Sequence, residues 1–309
     1  MHDVLIIGGG AAGMTAAIYT TRKKLSTAII SIDVGGQTNL TSHIENYPGV
    51  EACHGIELMQ RFKKQAINQG TEFIMGKVAK VDKTADGFVI TLANKQELAC
   101  KCLIVAYGKV PRTLGLPKED EFLGRGVSTC VTNPEDFENK TVAVIGGGNS
   151  AVESALKLSS VARKVYLIHR RDAFRADEIT VQKLKQTSVE LVLNHQPVAF
   201  KGDDKLTHIT VEDANTSQRR DINIDDAVIE IGFVVDTKIL HHLVKVNEKQ
   251  EILIDERTNT NCPGLFACGD ITTIPFKQTV ISAGEGAKAG LEAYRFLTGG
   301  KGVSIDWAH

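Results

Sequence analysis

Gly8-x-Gly10-x-x-Gly13 follows a run of β-prone apolar residues and opens an amphipathic stretch, and Asp33 stands 20 residues beyond Gly13. Each residue type has a task in holding a dinucleotide. The first glycine permits a tight turn, the second lets backbone N–H groups approach a pyrophosphate, the third lets helix pack on strand, and the acid accepts from ribose hydroxyls. A second copy, Gly146-x-Gly148-x-x-Ala151, carries Asn149 and Ser150 at the helix start, but its acid is replaced by His169-Arg170-Arg171, with Arg175 one turn along. An acid there repels a 2′-phosphate, whereas guanidinium forks bind it bidentately, so this site is expected to prefer NADP over NAD. One site without and one with a 2′-phosphate reader imply FAD plus NADPH, and hydride transfer from nicotinamide to flavin.

Positioning these residues requires two βαβ units. The segment Asp3–Ala17 recurs 138 positions later as Thr141–Ala155, and in both an apolar strand runs through three glycines into a helix. The following strands are expected at 28–32 and 165–168. The second helix is expected to present Val152, Ala155, Leu156 and Ser159 on one face and to end in Arg163-Lys164. Further along, a helix is expected at 55–68 and antiparallel strands around 72–98 with an Asp86-Gly87 turn. Buried strands are expected at 103–108, 227–232 and 265–270, and a closing helix at 279–297 before Gly299-Gly300. The fold class is therefore α/β, with two Rossmann-like dinucleotide-binding domains. The NADPH domain (115–239) is inserted in a discontinuous FAD domain (1–114 and 240–309).

The chain of 309 residues is long enough for two cores, and 42% apolar with 24% charged residues excludes intrinsic disorder. Lys+Arg at 36 against Asp+Glu at 37 leaves a net charge of -1, so no global field favours nucleic acid or an anionic membrane. No basic-then-apolar leader opens the sequence, and the longest apolar run is broken by Gly8, Gly9 and Gly10. Six cysteines lack Cys-x-x-Cys spacing, which suits a reducing cytoplasm. His195, His208, His241 and His242 have no partners at metal-ligand spacing, so no metal site is expected. Ser128, Thr129 and Thr132 have no spaced His/Asp partners for hydrolysis.

Five further stretches carry a family likeness: Gly35-Gly36-Gln37, Glu45-Asn46-Tyr47-Pro48-Gly49, Gly124-Arg125-Gly126-Val127-Ser128, 169–176 and 265–270. Over essentially its whole length the chain resembles the low-molecular-weight thioredoxin reductases, a class of pyridine nucleotide-disulfide oxidoreductases. The resemblance implies that Gly35, Gly36, Gln37 and Asn46 line the FAD and that Asp270, beside Gly269, holds the ribityl chain. It implies that Lys277, Gln278 and Thr279 meet the flavin at the start of the last helix, and it places Gly108 in the FAD set and Gly232 in the NADPH set. It also implies a homodimer.

One departure bears on the acceptor. Members of that family carry Cys-x-x-Cys-Asp after the Gly-Arg-Gly-Val segment, and this chain reads Cys130-Val131-Thr132-Asn133-Pro134. Asn133 takes the place of the flavin-facing cysteine and Pro134 that of the acid. An amide has no thiolate state, so the dithiol relay is absent. The leading expectation is direct electron transfer from reduced flavin to ferredoxin, flavodoxin or a small molecule, as in the thioredoxin reductase-like ferredoxin-NADP reductases that this chain resembles in lacking the pair. Two alternatives stay open: disulfide reduction by Cys130 with another thiol, and a flavin-based redox sensor with little turnover. Cys130 itself reads either as a small packed residue or as a single-thiol redox group. Tyr107 reads equally as a flavin cover or as core; Cys100, Cys102 and Cys268 read as core thiols. Trp307 and His309 are the groups after the last helix that a flavin cover would use.

Overall fold

The computed structural model describes residues 1–41 and 43–300; Trp307 and His309 lie outside them. The chain divides into two compact units, Met1–Val110 with the chain from Val235 onward, and Pro111–Val234. These crossings fall four and five residues before the sequence-expected boundaries at 114/115 and 239/240. They coincide with two short strands that pair with each other, Val110–Pro111 and Phe233–Val234.

In chain order the first unit begins with β1 (His2–Ile7), α1 (Ala11–Arg22), β2 (Thr27–Ser31), α2 (Gly55–Asn68), β3 (Glu72–Met75), β4 (Val78–Thr84), β5 (Gly87–Leu92) and β6 (Glu97–Val105). Next come β7 (Val110–Pro111), α3 (Glu119–Phe122), β8 (Val127–Ser128), β9 (Thr141–Ile145), α4 (Asn149–Leu158), β10 (Lys164–His169), α5 (Glu178–Leu184) and β11 (Glu190–Leu193). A three-stranded antiparallel sheet of β12 (His195–Gly202), β13 (Leu206–Asp213) and β14 (Arg219–Asn223) precedes β15 (Asp226–Ile229) and β16 (Phe233–Val234). The chain then returns to the first unit with β17 (Leu265–Ala267) and α6 (Thr279–Leu297).

The first unit's sheet runs β3-β2-β1-β6-β5-β4, with β17 also on β6. Strands β3, β2, β1, β6 and β17 are parallel, and β4 and β5 form an antiparallel ribbon on β6. Val4–Ile7 and Ala28–Ile30 are buried on both faces, which is why these stretches read as unbroken apolar runs rather than as alternation. Helix α1 is rich in small residues, and Gly286 and Gly290 of α6 sit against the carbonyls of Ala12 and Ala16, so the two helices meet backbone to backbone. Cys100 and Cys102, two apart on β6, join different apolar clusters, and burial pushes both thiols up to about 12.

The second unit's sheet runs β11-β10-β9-β15-β8, all parallel. Both units thus repeat one winding, in which the strand before the glycine loop (β1 or β9) lies between the strand after the helix (β2 or β10) and a later parallel strand (β6 or β15). Helix α4 buries Ala151, Val152, Ala155 and Leu158, whereas Leu156 and Ser159 are only half-buried. It stops at Leu158, so Arg163 lies in the connection and Lys164 begins β10, not in the helix's last turn. Among the described residues no helix is long and apolar enough to cross a membrane, and no group of three His, Cys, Asp or Glu is placed to hold a metal.

Candidate functional site

In the first unit, Gly8 has φ +115°, and a Cβ there would stand 2.5 Å from the Ala106 carbonyl. Only glycine lets the end of β1 pass the end of β6 this closely. A Cβ on Gly13 would overlap the Gly8 carbonyl, so the third glycine of the motif is a packing requirement. Gly10 is different. It caps α1 in extended conformation (φ -84°, ψ -172°) without a side-chain cap, and a Cβ there would meet nothing nearer than Gly35 O at 3.9 Å. The open side of Gly10 and the uncapped N–H groups of the first turn, with no acid there to fill them, form a cradle fit for a pyrophosphate.

The surrounding loops converge on that cradle. Gly9 N–H donates to Ser31 Oγ (2.9 Å), Gly35 N–H to Gly9 O (2.8 Å), and Gln37 Nε2 to Lys109 O (2.9 Å). Asp33, exposed two residues past β2, accepts from Gly36 N–H at 3.2 Å. Asn39, which sequence reasoning missed, donates to Val34 O while its Oδ1 is buried without a partner beside Gly35. No local sequence signal marks it. Asn46 Nδ2 donates to Gln278 Oε1 (3.2 Å) and Thr279 meets Thr38 at 3.2 Å. Asn46, Gln278 and Thr279 line a cavity of about 310 Å³ together with Thr41, His43, Ile44 and Glu45.

Gly108 (φ +66°) and Gly269 (φ +76°) turn the chain at the neighbouring strand ends, and a Cβ on Gly108 would lie 3.9 Å from Asp270 Cβ. Asp270 accepts from Ser282 Oγ at 3.1 Å. Lys277 is turned onto the protein: its Nζ donates to Asp270 O (3.2 Å) and Thr272 O and pairs with Glu251 at 3.3 Å. Burial draws its pKa down and Glu251 opposes that shift. Tyr107 is partly buried and packed against an apolar cluster, its hydroxyl donating to Asp236 O at 2.8 Å, and burial raises its pKa. Cys268 is fully buried, which pushes its thiol well up.

In the second unit the same backbone recurs. Gly146 has φ +155° and abuts the Glu230 carbonyl and the Ala151 methyl, while Gly148 caps α4 (φ -97°, ψ -179°) with open space around its Cβ position. Asn149 exchanges hydrogen bonds with Asp177 at 2.8 and 3.1 Å, and Ser150 is exposed. His169 ends β10 as Ser31 ends β2, so Arg171 stands where Asp33 stands in the first unit. The His169 ring lies where a Cβ on Gly147 would be, bonded to Ala173 O (3.2 Å) and stacked on Phe174 at 5.5 Å. Desolvation lowers its pKa first, and the positive charges of Arg175, Arg171 and Arg170 lower it further, against the Ala173 bond. Those three arginines are exposed and, among the described residues, without an ion-pair partner, which leaves their forks available to an anion. Gly232 (φ +96°) lies in open space and accepts from Arg112 N–H at 2.9 Å.

Two residues of this unit escape a reading of the sequence alone. Gly147 is required by the histidine ring, and the tripled glycine is its signal. Glu230, a lone acid within an apolar run, accepts from Ser154 Oγ at 2.9 Å through one oxygen. Its other oxygen is buried and unpartnered, and burial raises its pKa against the Ser154 bond and Lys157.

Cys130 is half-buried, its Sγ 3.4 Å from Thr132 Oγ1, and Asn133 Nδ2 donates to Asp136 at 3.2 Å. The other five cysteines are buried, and all six are unpaired.

Residues 2–289 match the family described as pyridine nucleotide-disulphide oxidoreductase. Among curated relatives, an alkyl hydroperoxide reductase subunit of Staphylococcus aureus (strain NCTC 8325 / PS 47) is 38% identical over 299 residues, covering 96% of this chain and 59% of that protein. The chain thus spans about three fifths of the length of the curated relatives it matches. Among solved structures, Lactococcus lactis thioredoxin reductase (FR conformation) is similar at 36% identity with a TM-score of 0.80, covering 97% of this chain and 100% of that one. The T. acidophilum thioredoxin reductase is similar at 32% identity with a TM-score of 0.77, over 96% and 99% of the two chains.

Proposed function

The chain belongs to the pyridine nucleotide-disulphide oxidoreductase family, and from that premise we propose an NADPH oxidoreductase of thioredoxin reductase type that serves its acceptor without a dithiol relay. Thioredoxin reductases use FAD and NADPH. When bound, the flavin supplies the two-electron centre between nicotinamide and acceptor. In this reading Gly8, Gly10 and Gly13 admit its pyrophosphate to the start of α1, Asp33 and Asn39 offer acceptors to hydroxyl groups, and Asp270 is held ready by Ser282. Gly146, Gly148 and the α4 N-terminus take the NADPH pyrophosphate, and Arg170, Arg171 and Arg175 take its 2′-phosphate.

The observation that carries the reading is Asn133. Its amide is engaged with Asp136, it can supply neither a thiolate nor a disulfide, and no other cysteine is paired with Cys130. Ferredoxin, flavodoxin or a small oxidant is the acceptor class that fits such a site. A second reading, disulfide reduction through Cys130 and a partner's thiol, is supported by Cys130 being the one cysteine that is not buried. Steady-state NADPH oxidation with a panel of acceptors separates them. Fast ferredoxin, flavodoxin or ferricyanide reduction is expected; thioredoxin reduction at a comparable rate would replace the first reading by the second. A homodimer and a cytoplasmic location belong to the same reading through the family resemblance, and light scattering on the eluting protein checks the former.

A further inference from the structure

Glu230 stands just past the C-terminal end of β15, on one side of β9, while His169 and the arginines follow β10 on the other. A dinucleotide lies across the C-terminal ends of the strands at this switch point. With the 2′-phosphate end over β10, the nicotinamide end extends over β15. There the structure leaves two buried polar atoms without partners, Glu230 Oε2 and Ser128 Oγ. Ser128 of β8 is in register with Val228, two residues before Glu230, so both side chains belong to the same face of the sheet. A buried acceptor or donor without a partner is costly, and a ligand that completes it gains accordingly.

Resting on the NADPH reading above, we infer that Glu230 and Ser128 read the carboxamide of the nicotinamide ring. The amide N–H donates to the Glu230 carboxylate, and the Ser128 hydroxyl donates to the amide carbonyl. Ser154, on the opposite oxygen, holds Glu230 in place as a positioning residue. Neither Glu230 nor Ser128 is wholly enclosed, and the terminal carboxylate torsion is soft, so a small turn can offer Oε2 to a ligand while Oε1 keeps its Ser154 bond. The pair is complementary to an amide and opposed to a carboxylate, which brings a second negative charge and no N–H. Specificity for the amide is therefore built from the sheet, independently of the arginines.

Isothermal titration at mildly alkaline pH tests this with three probes: NADP+, nicotinic acid adenine dinucleotide phosphate, and 2′,5′-ADP, which lacks the nicotinamide half. The wild type should bind NADP+ at least about tenfold more tightly than the acid analogue. Glu230→Gln, whose amide can donate to a carboxylate, should narrow that ratio to below about threefold and leave 2′,5′-ADP affinity unchanged. Ser128→Ala should weaken NADP+ by about tenfold and again spare 2′,5′-ADP. Equal wild-type affinity for the two full nucleotides, or a Glu230→Gln variant that still discriminates, overturns the inference. Failure of the wild type to bind 2′,5′-ADP would instead overturn the 2′-phosphate reading, with the amide preference standing or falling by its own ratio.

Discussion

The two glycine loops of this chain have nearly one backbone and two different surroundings. Gly10 and Gly148 both cap their helices in extended conformation with no side chain in the cap, and Gly8 and Gly146 both turn at positive φ against the residue just past a neighbouring strand, β6 or β15. At the end of the second strand the resemblance stops. Ser31 reaches up to bond Gly9 N–H, whereas His169 lays its ring over Gly147. Two residues on, Asp33 accepts from Gly36 while Arg171 has no ion-pair partner among the described residues. In the proposed reading the glycines make a phosphate cradle that is indifferent to the rest of the ligand, and the residues beyond the second strand would read its identity.

The largest expected effects separate the two kinds of glycine. Gly13→Val would drive a branched side chain into the Gly8 carbonyl, an overlap costing about 3 kcal/mol or more, and should yield little folded protein. A Cβ at Gly10 meets only Gly35 O at 3.9 Å, so Gly10→Val should fold normally by circular dichroism, yet lose bound flavin absorbance. Full flavin occupancy in Gly10→Val would remove the first loop from the comparison. A smaller but still large effect is expected from Arg170→Ala/Arg171→Ala. Losing two charge-assisted bonds at ~1.5 to 3 kcal/mol each should cut the NADPH preference in kcat/KM by roughly a hundredfold or more, with NADH barely affected. Equal loss with both nucleotides would mean that the arginines hold the fold and not the phosphate.

These loops are legible in the sequence because the motif that carries them is contiguous, even though the carbonyls that Gly8 and Gly146 must pass, those of Ala106 and Glu230, are distant in sequence. A glycine that must pass a carbonyl or face a phosphate tolerates no other residue, and the strand, loop and helix around it are contiguous. Helices at 55–68 and 279–297 coincide with Gly55–Asn68 and Thr279–Leu297 for a similar reason, since each runs between its own stop signals. What escapes is set by contacts distant in sequence. Helical spacing puts Leu156 and Ser159 on the buried face of α4, but the sheet beneath it takes Val152, Ala155 and Leu158. Asn39 and Glu230 matter because of the groups that fail to satisfy them, which no sequence pattern records. Lys277 sits in a recognisable motif, yet its ammonium is engaged by Glu251 and by two carbonyls.

A modest effect is expected from pH. The folded pKa of His169 lies below its ordinary value of 6.5, chiefly through desolvation and then through the neighbouring arginines. Between the two values the unfolded chain binds the proton and the folded one does not, so this contribution to stability is present above the ordinary value and is lost as pH falls through the folded pKa. The melting temperature should therefore decline across that window, and His169→Gln should flatten that part of the profile. Ser31, its counterpart in the first unit, does not titrate. Unchanged slopes in the variant would place the pH sensitivity elsewhere.

The smallest effect expected is none at all, and it decides how many tasks the second unit has. If that unit only reads the nucleotide, Cys130→Ser should keep full NADPH-to-ferricyanide activity. Serine fills nearly the volume of cysteine, and Sγ meets Thr132 Oγ1 at 3.4 Å, a contact that a hydroxyl can equally make. Without a dithiol there is no second reservoir of electrons, so an anaerobic titration of the wild type should end near about one NADPH per flavin. Asn133→Cys should not by itself create thioredoxin reduction, because Pro134 supplies no carboxyl to protonate a departing thiolate. Uptake of a second equivalent, or a thioredoxin reduction that Cys130→Ser abolishes, would give the second unit a thiol relay in addition to its nucleotide site. The asymmetry between the two loops would then extend from the nucleotides they read to the electrons they pass on.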